Sequence, residues 1–133
     1  MRLLIADSNE IVLESYARHF SKVGMTVATS PNGIDCVTTL RSFRPDLLVI
    51  EIDLPWSGAA GVLARMHEEH GLPKVPVIVM AWAFSNSIDT QQLLHFPLED
   101  FVCKPCSSRH LVQRIKRISS DPTSIRTASQ ISV

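Results

Sequence analysis

The sequence of 133 residues lacks net charge, long apolar runs and a cysteine framework. Its 13 basic and 13 acidic residues cancel, whereas nonspecific binding to nucleic acid needs a strong basic field. No window reaches the roughly 18 consecutive apolar residues of a membrane span, and the N-terminal segment turns acidic at Asp7, too early for a secretory signal. Three cysteines are an odd number and do not suit a disulfide framework. We therefore expect a soluble, cytoplasmic domain that binds neither nucleic acid nor membrane.

The sequence does contain five short runs that predict strands, four of them apolar and one, at 26–29, with the Thr and Val residues that favour a strand. These runs lie at 3–6, 26–29, 47–50, 76–80 and 101–103. Apolar residues at three- and four-residue spacing follow each run and predict amphipathic helices. The first of these helices begins at Glu10 and ends before Gly24, the fourth is short, and Ser107 is the predicted N-cap of the last.

Strands that alternate with helices predict a mostly parallel sheet covered by helices on both faces. Such sheets bind ligands at the carboxyl ends of their strands. Charged residues lie just beyond three of the predicted strands: Asp7, Glu51, Asp53 and Lys104. Carboxylates beside a lysine suit Mg²⁺ and a phosphoryl group, although acidic residues at strand ends also cap helices and solvate loops.

Four stretches of this sequence carry a resemblance to a known family. They are Leu4-Ile5-Ala6-Asp7, 45–51 with Pro55 four residues on, 76–80, and Lys104-Pro105. Over residues 1–119 the chain resembles the receiver domain of two-component response regulators. The resemblance implies a flavodoxin-like (βα)5 fold with five parallel strands in the order 2-1-3-4-5. It also implies Mg²⁺-dependent transfer of a phosphoryl group from a histidine kinase to an aspartate. Residues 120–133 are expected to form a flexible tail or a truncated linker.

The chain departs from this pattern at the positions that carry the chemistry. Glu51 stands where the family has the phosphorylated aspartate, and Ser8 stands where it has a second Mg²⁺-binding acid. Ala81 replaces the hydroxyl residue that contacts the phosphoryl group, and an alanine cannot donate that hydrogen bond. Phe101 occupies the switch position of the fifth strand, and Lys104 is retained. A glutamate displaces the carboxylate by about one bond length, and about 1 Å is enough to impair an in-line attack.

These changes together favour a degenerate, noncatalytic receiver that binds a signalling protein without phosphorylation. Glu51 is predicted to form a permanent, partly buried salt bridge with Lys104. Asp7, Glu51 and Asp53 form at most a weak Mg²⁺ site, because Ser8 has removed a ligand. Trp82 and Trp56 are expected to crowd the entrance through which a phosphohistidine would approach.

The expected partner is a histidine kinase or an effector. A homodimer through the fifth strand and the last helices, near 93–101 and 109–117, is also possible. The main alternative is a phosphorylatable, Mg²⁺-dependent receiver that uses Glu51 or Asp53 as the acceptor. On a regular strand Asp53 would face the same side as Glu51, but the favoured interpretation is an exposed Asp53 without a function.

A remote alternative is thiol redox chemistry. Cys103 and Cys106 form a C-x-x-C pair at a predicted strand-to-helix turn, where a helix N-terminus can lower a thiol pKa. With His110 the pair would be one ligand short of a tetrahedral zinc site.

Overall fold

A computed structural model describes residues 1–82 and 87–120, apart from the side chains of 87–89, 119 and 120. Strands and helices alternate throughout these residues. The strands are β1 (Arg2–Ala6), β2 (Thr26–Ser30), β3 (Leu47–Glu51), β4 (Val77–Trp82) and β5 (Asp100–Lys104). The helices are α1 (Glu10–Lys22), α2 (Gly33–Phe43), α3 (Gly58–Glu68), α4 (Ser87–Leu93) and α5 (Ser108–Ser120).

The five strands form one parallel sheet in the order β2-β1-β3-β4-β5. This is the predicted flavodoxin-like arrangement, and it is confirmed. Every residue of β3 is buried, as a strand covered on both faces requires. The order of the strands places the ends of β1 and β5 on either side of β3, with β4 between β3 and β5.

Two apolar layers cover the sheet, one on each face. The layer under α2, α3 and α4 includes Leu40, Ile50, Met66 and Val79. The layer under α1 and α5 includes Phe20, Val49, Leu111 and Ile115. Because both layers are continuous, the strand ends at the edge of the sheet are held by a core that spans the domain.

Polar side chains fix where the helices begin. The Asn9 side chain accepts hydrogen bonds from the backbone N–H groups of Ile11 and Val12 at the start of α1. Asn32 does the same for α2 through the N–H of Asp35. Ser107 Oγ accepts from the N–H of His110 at 3.1 Å, which confirms the predicted cap of α5. The caps of α1 and α5 both lie at the carboxyl edge of the sheet.

The remaining predictions concern the lengths of helices and the C-terminal residues. The predicted short fourth helix spans seven residues, and α5 continues to Ser120, one residue past the predicted boundary of the domain. Residues 121–133, predicted to be a tail or linker, lie outside the described residues. Within the described part of the chain, we find no helix with the length and apolar character needed to cross a bilayer.

Candidate functional site

Four polar residues meet at the carboxyl edge of the sheet, and we call them the acid–lysine cluster: Asp7, Ser8, Glu51 and Lys104. Asp7 and Ser8 follow β1, Glu51 ends β3 and Lys104 ends β5. Lys104 Nζ lies 2.8 Å from Asp7 Oδ2 and 2.8 Å from Glu51 Oε2, so one ammonium joins two carboxylates. Exposure of the three charged residues is only 0%, 5% and 9% for Asp7, Glu51 and Lys104. The predicted Glu51–Lys104 salt bridge is therefore present, and it is more deeply buried than expected.

Each of the four carboxylate oxygens in the cluster accepts a hydrogen bond from the protein. The two that face Lys104 are Asp7 Oδ2 and Glu51 Oε2. Asp7 Oδ1 accepts from the backbone N–H of Asn9 at 2.9 Å. Glu51 Oε1 accepts from Ser8 Oγ at 2.8 Å and from the Ser8 N–H at 3.3 Å. The cluster thus satisfies its own hydrogen-bonding groups, as buried ionic groups require.

Burial and pairing act in opposite directions on these charges. Burial raises the pKa of Asp7, and the hydrogen bonds from Lys104 and Asn9 offset only part of the rise. Burial also opposes the ionisation of Glu51, but hydrogen bonds from Lys104 and Ser8 outweigh it and lower the Glu51 pKa. Burial disfavours the Lys104 cation as well, yet bonding to the two carboxylates leaves its pKa raised. At neutral pH the arrangement therefore favours an ionised Glu51 held by a charged Lys104.

The predicted carboxylate trio of Asp7, Glu51 and Asp53 is not assembled. Strand β3 ends at Glu51, and Asp53 is an exposed residue that lines a separate depression with Ser57 and Gln92. The exposed Asp53 agrees with the favoured interpretation, and it does not share the side of Glu51 because strand alternation stops where the strand stops. Among the described residues, no group of three His, Cys, Asp or Glu side chains is placed to hold a metal ion. The donors at the cluster do not fit Mg²⁺, since Lys104 and Ser8 already engage the oxygens that would bind it.

The side chains at the two switch positions, Ala81 and Phe101, have no group that could donate a hydrogen bond to a phosphoryl oxygen. Ala81 is buried in the apolar layer under α3 and α4 and offers only a methyl group. Phe101 is exposed on β5. Trp82 lies with its ring 5.2 Å from Lys104 Nζ and crowds the cluster as expected. Trp56 is 70% exposed, and its crowding of the entrance for a phosphohistidine stays a prediction.

A cavity of about 400 Å³ opens beside the acid–lysine cluster, between α1 and the connection from β5 to α5. Glu51, Lys104 and Ser8 form part of its wall, and Trp82 forms another part. Its remaining lining residues are Asn9, Val12, Ser15, Tyr16, Pro105, Cys106, Ser107 and Ser108. Tyr16 closes one side by donating its hydroxyl hydrogen to the carbonyl oxygen of Cys106 at 2.6 Å.

The two thiols of the C-x-x-C motif are free and differ in their surroundings. Cys103 is exposed on β5, between the buried residues Val102 and Lys104, so alternation places it on the opposite face of the strand from them. Cys106 instead packs against the apolar layer under α1 and α5. Burial raises the pKa of the Cys106 thiol, contrary to the lowering expected from the helix N-terminus. These surroundings do not favour a dithiol pair, and His110 joins no metal-binding group among the described residues.

Asn9 also contacts the cluster, through its backbone N–H. It caps α1 with its side chain and holds Asp7 Oδ1 with its backbone N–H. An Asp whose side chain accepts from the N–H two residues later forms a common turn, and Asp7-Ser8-Asn9 has the composition of such a turn. That local pattern is the signal that could have identified the contact.

Comparison with known proteins gives a consistent set of relatives. A family model for the response regulator receiver domain matches residues 3–116. The transcriptional regulatory protein AfsQ1 of Streptomyces coelicolor is 29% identical over 116 residues, which cover 87% of this chain and 50% of that protein. The DNA-binding response regulator MtrA of Mycobacterium tuberculosis is 26% identical over 115 residues, or 86% of this chain and 49% of that protein. The chain thus spans about half the length of these curated relatives.

Solved structures share the fold at lower sequence identity. The signal receiver domain of an HD domain-containing protein from Pseudomonas fluorescens superposes with a TM-score of 0.78 at 19% identity, covering 92% of this chain and 97% of that one. The chemotaxis response regulator CheY4 of Vibrio cholerae superposes with a TM-score of 0.77 at 14% identity, covering 88% and 97%.

Proposed function

The chain belongs to the response regulator receiver domain family of two-component signalling, and from that premise we propose that it is a degenerate member. It acts as a protein-interaction module that binds its partner without being phosphorylated. It catalyses no reaction and needs no resident Mg²⁺.

One observation carries this proposal: the protein's own donors engage every carboxylate oxygen of Asp7 and Glu51. A phosphoryl acceptor needs an oxygen that is free to attack in line, and the attack needs its geometry held to within about 1 Å. Glu51 instead holds Lys104 with one oxygen and Ser8 with the other. The same contacts remove the acidic ligands that Mg²⁺ would use. The ammonium therefore stays paired, and one conformation of the site is stabilised without a phosphoryl group.

The partner in this proposal is another signalling protein. Receiver domains of two-component systems interact with histidine kinases and effectors. On this chain the surface of α4, β5 and α5 presents apolar side chains, with Leu94 76% exposed and Phe101 39% exposed. A kinase, an effector or a second copy of the chain binds there. The domain works in the cytoplasm and contacts neither nucleic acid nor membrane.

The test is the intact mass of the protein after incubation with Mg²⁺ and phosphoramidate. A phosphorylatable receiver domain is labelled in parallel as a positive control, and the reading is made promptly near neutral pH because acyl phosphates hydrolyse. The proposal predicts no added phosphate on this chain. One added phosphate would overturn it, and its loss in Glu51→Ala or Asp53→Ala would identify the acceptor.

A further inference from the structure

We propose that the cavity between α1 and the β5–α5 connection binds an uncharged, flat aromatic small molecule. This site lies beside the acid–lysine cluster rather than within it. The inference rests on the proposed function in one respect, because the cluster must stay closed to form the wall of the cavity.

The size of the cavity suits a small ligand. Its volume of about 400 Å³ lies within the range of roughly 300–1,000 Å³ that is usual for small-molecule sites. One wall is the first half of α1, and the other is the segment from Pro105 to Ser108 that enters α5. Both walls are fixed, since Asn9 caps α1, Ser107 caps α5 and Tyr16 is bonded to Cys106 across the cavity. A site with fixed walls loses little entropy when it binds a rigid ligand.

The lining favours a flat ring with polar groups on its edge. Val12, Tyr16, Pro105 and the ring of Trp82 supply apolar surface. Aromatic rings stack on such surfaces with offset or edge-to-face geometry. Serine hydroxyl groups stand around this apolar surface and can bond a ligand, although Ser8, whose hydrogen is donated to Glu51, can only accept. They belong to Ser8, Ser15, Ser107 and Ser108.

The charges in the lining favour a ligand without net charge. Lys104 is the sole cationic side chain among the lining residues, and its ammonium is bonded to both Asp7 and Glu51. A phosphate or carboxylate ligand would therefore meet no available cation. A cationic ligand would compete with Lys104 for Glu51, whose oxygens already accept hydrogen bonds. A neutral ligand avoids both costs, since burying an unpaired charge is strongly unfavourable.

The experiment titrates the full chain with three probes that share one ring system: 2-naphthamide, 2-naphthoate and 2-naphthylmethylammonium. Binding is followed by two-dimensional ¹H–¹⁵N NMR, and Trp56→Phe assigns the two indole N–H signals. The neutral amide is expected to shift the Trp82 indole signal and the amides of Ser15 and Ser107, with a Kd below about 1 mM. Each charged probe is expected to bind at least about tenfold more weakly.

Two variants on the same helix locate the site. Ser15→Phe places a ring inside the cavity and is expected to abolish the shifts caused by 2-naphthamide. Ser21→Phe adds the same ring to an exposed position of α1 outside the cavity and is expected to leave them unchanged. Both residues are exposed, so both variants are expected to fold, which their spectra without probe will show.

Three results would overturn this site: no shift with 2-naphthamide, equal binding of a charged probe, or unchanged binding in Ser15→Phe. The titration contains no phosphodonor, so its failure leaves the phosphorylation test unaffected. Conversely, phosphate uptake in the mass measurement would overturn the proposed function while the titration still reports on the unphosphorylated cavity.

Discussion

Replacing Lys104 by methionine removes the cation that joins two buried carboxylates. At 2.8 Å and an effective dielectric constant of about 20, each contact supplies roughly 6 kcal/mol of Coulomb attraction. Desolvation of three ions, at several kcal/mol each, offsets most of that attraction in the intact cluster. Removal of one partner leaves the others buried and uncompensated, which costs about 3–5 kcal/mol. That is a large fraction of the roughly 5–15 kcal/mol by which a domain is stable.

The same substitution changes how stability depends on pH. In the wild type the Glu51 pKa is lowered, so its contribution is complete at neutral pH and is lost as the pH falls through that lowered pKa. The Lys104 pKa is raised, so its contribution is lost only as the pH rises through that raised pKa. Without Lys104, burial raises the pKa of both carboxyl groups, and protonation stabilises the fold. Lys104→Met should therefore gain stability between about pH 7 and pH 5.

Urea unfolding followed by circular dichroism at both pH values measures these effects. Lys116→Met, at an exposed lysine of α5, is the matched control and should change the free energy of unfolding by less than about 0.5 kcal/mol. The neutral combination Asp7→Asn, Glu51→Gln, Lys104→Met should recover most of the loss, since no charge remains buried. If Lys104→Met unfolds like Lys116→Met, or gains no stability between pH 7 and pH 5, the buried ion cluster does not hold this site.

Three further contacts give predictions, two of which the same unfolding assay can check. Ser8→Ala removes a hydrogen bond to a charged oxygen and should cost about 1.5–3 kcal/mol; a loss no larger than that of Ser21→Ala, on the exposed side of α1, would contradict this. Tyr16 is the sole tyrosine, and burial raises its pKa to about 12, so ultraviolet titration of the folded protein should show no phenolate near pH 10, and a midpoint there would refute the buried hydroxyl. Gly33→Ala brings a methyl group within 2.5 Å of the Trp56 carbonyl oxygen and should cost about 1–3 kcal/mol. Gly71→Ala, with open space around it, should be nearly neutral, and equal effects of the two alanines would show that the close approach is absent.

The fold could be predicted from sequence because its signals are local. The run from Leu47 to Ile50 is apolar at every position, which only a strand covered on both faces tolerates. Gly24 marks the end of α1 and adopts a positive φ of 94°. Ser107 caps α5 as its position before the apolar repeat indicates. Each of these features depends on a few consecutive residues, so no distance across the molecule has to be known.

The site could be predicted only in part, because its contacts depend on distances across the sheet. The Glu51–Lys104 pair was foreseeable, since both residues end strands at one edge. Two other contacts were not foreseeable: Lys104 also bonds to Asp7, and the Ser8 hydroxyl donates to Glu51. Both depend on the register of the sheet, which sets where the ends of β1, β3 and β5 lie. Asp53 does not join the cluster for a related reason: alternation holds only inside a strand, and β3 ends at Glu51.

In our proposal this receiver has exchanged phosphorylation for a closed ionic cluster. The most direct measurement compares the wild type with the variant Ser8→Asp, Glu51→Asp, Ala81→Thr, which restores the residues typical of the family. Both proteins are incubated with Mg²⁺ and phosphoramidate, and their intact masses are read. The account predicts one added phosphate on the variant and none on the wild type. A wild type that takes up phosphate as readily as the variant would contradict it.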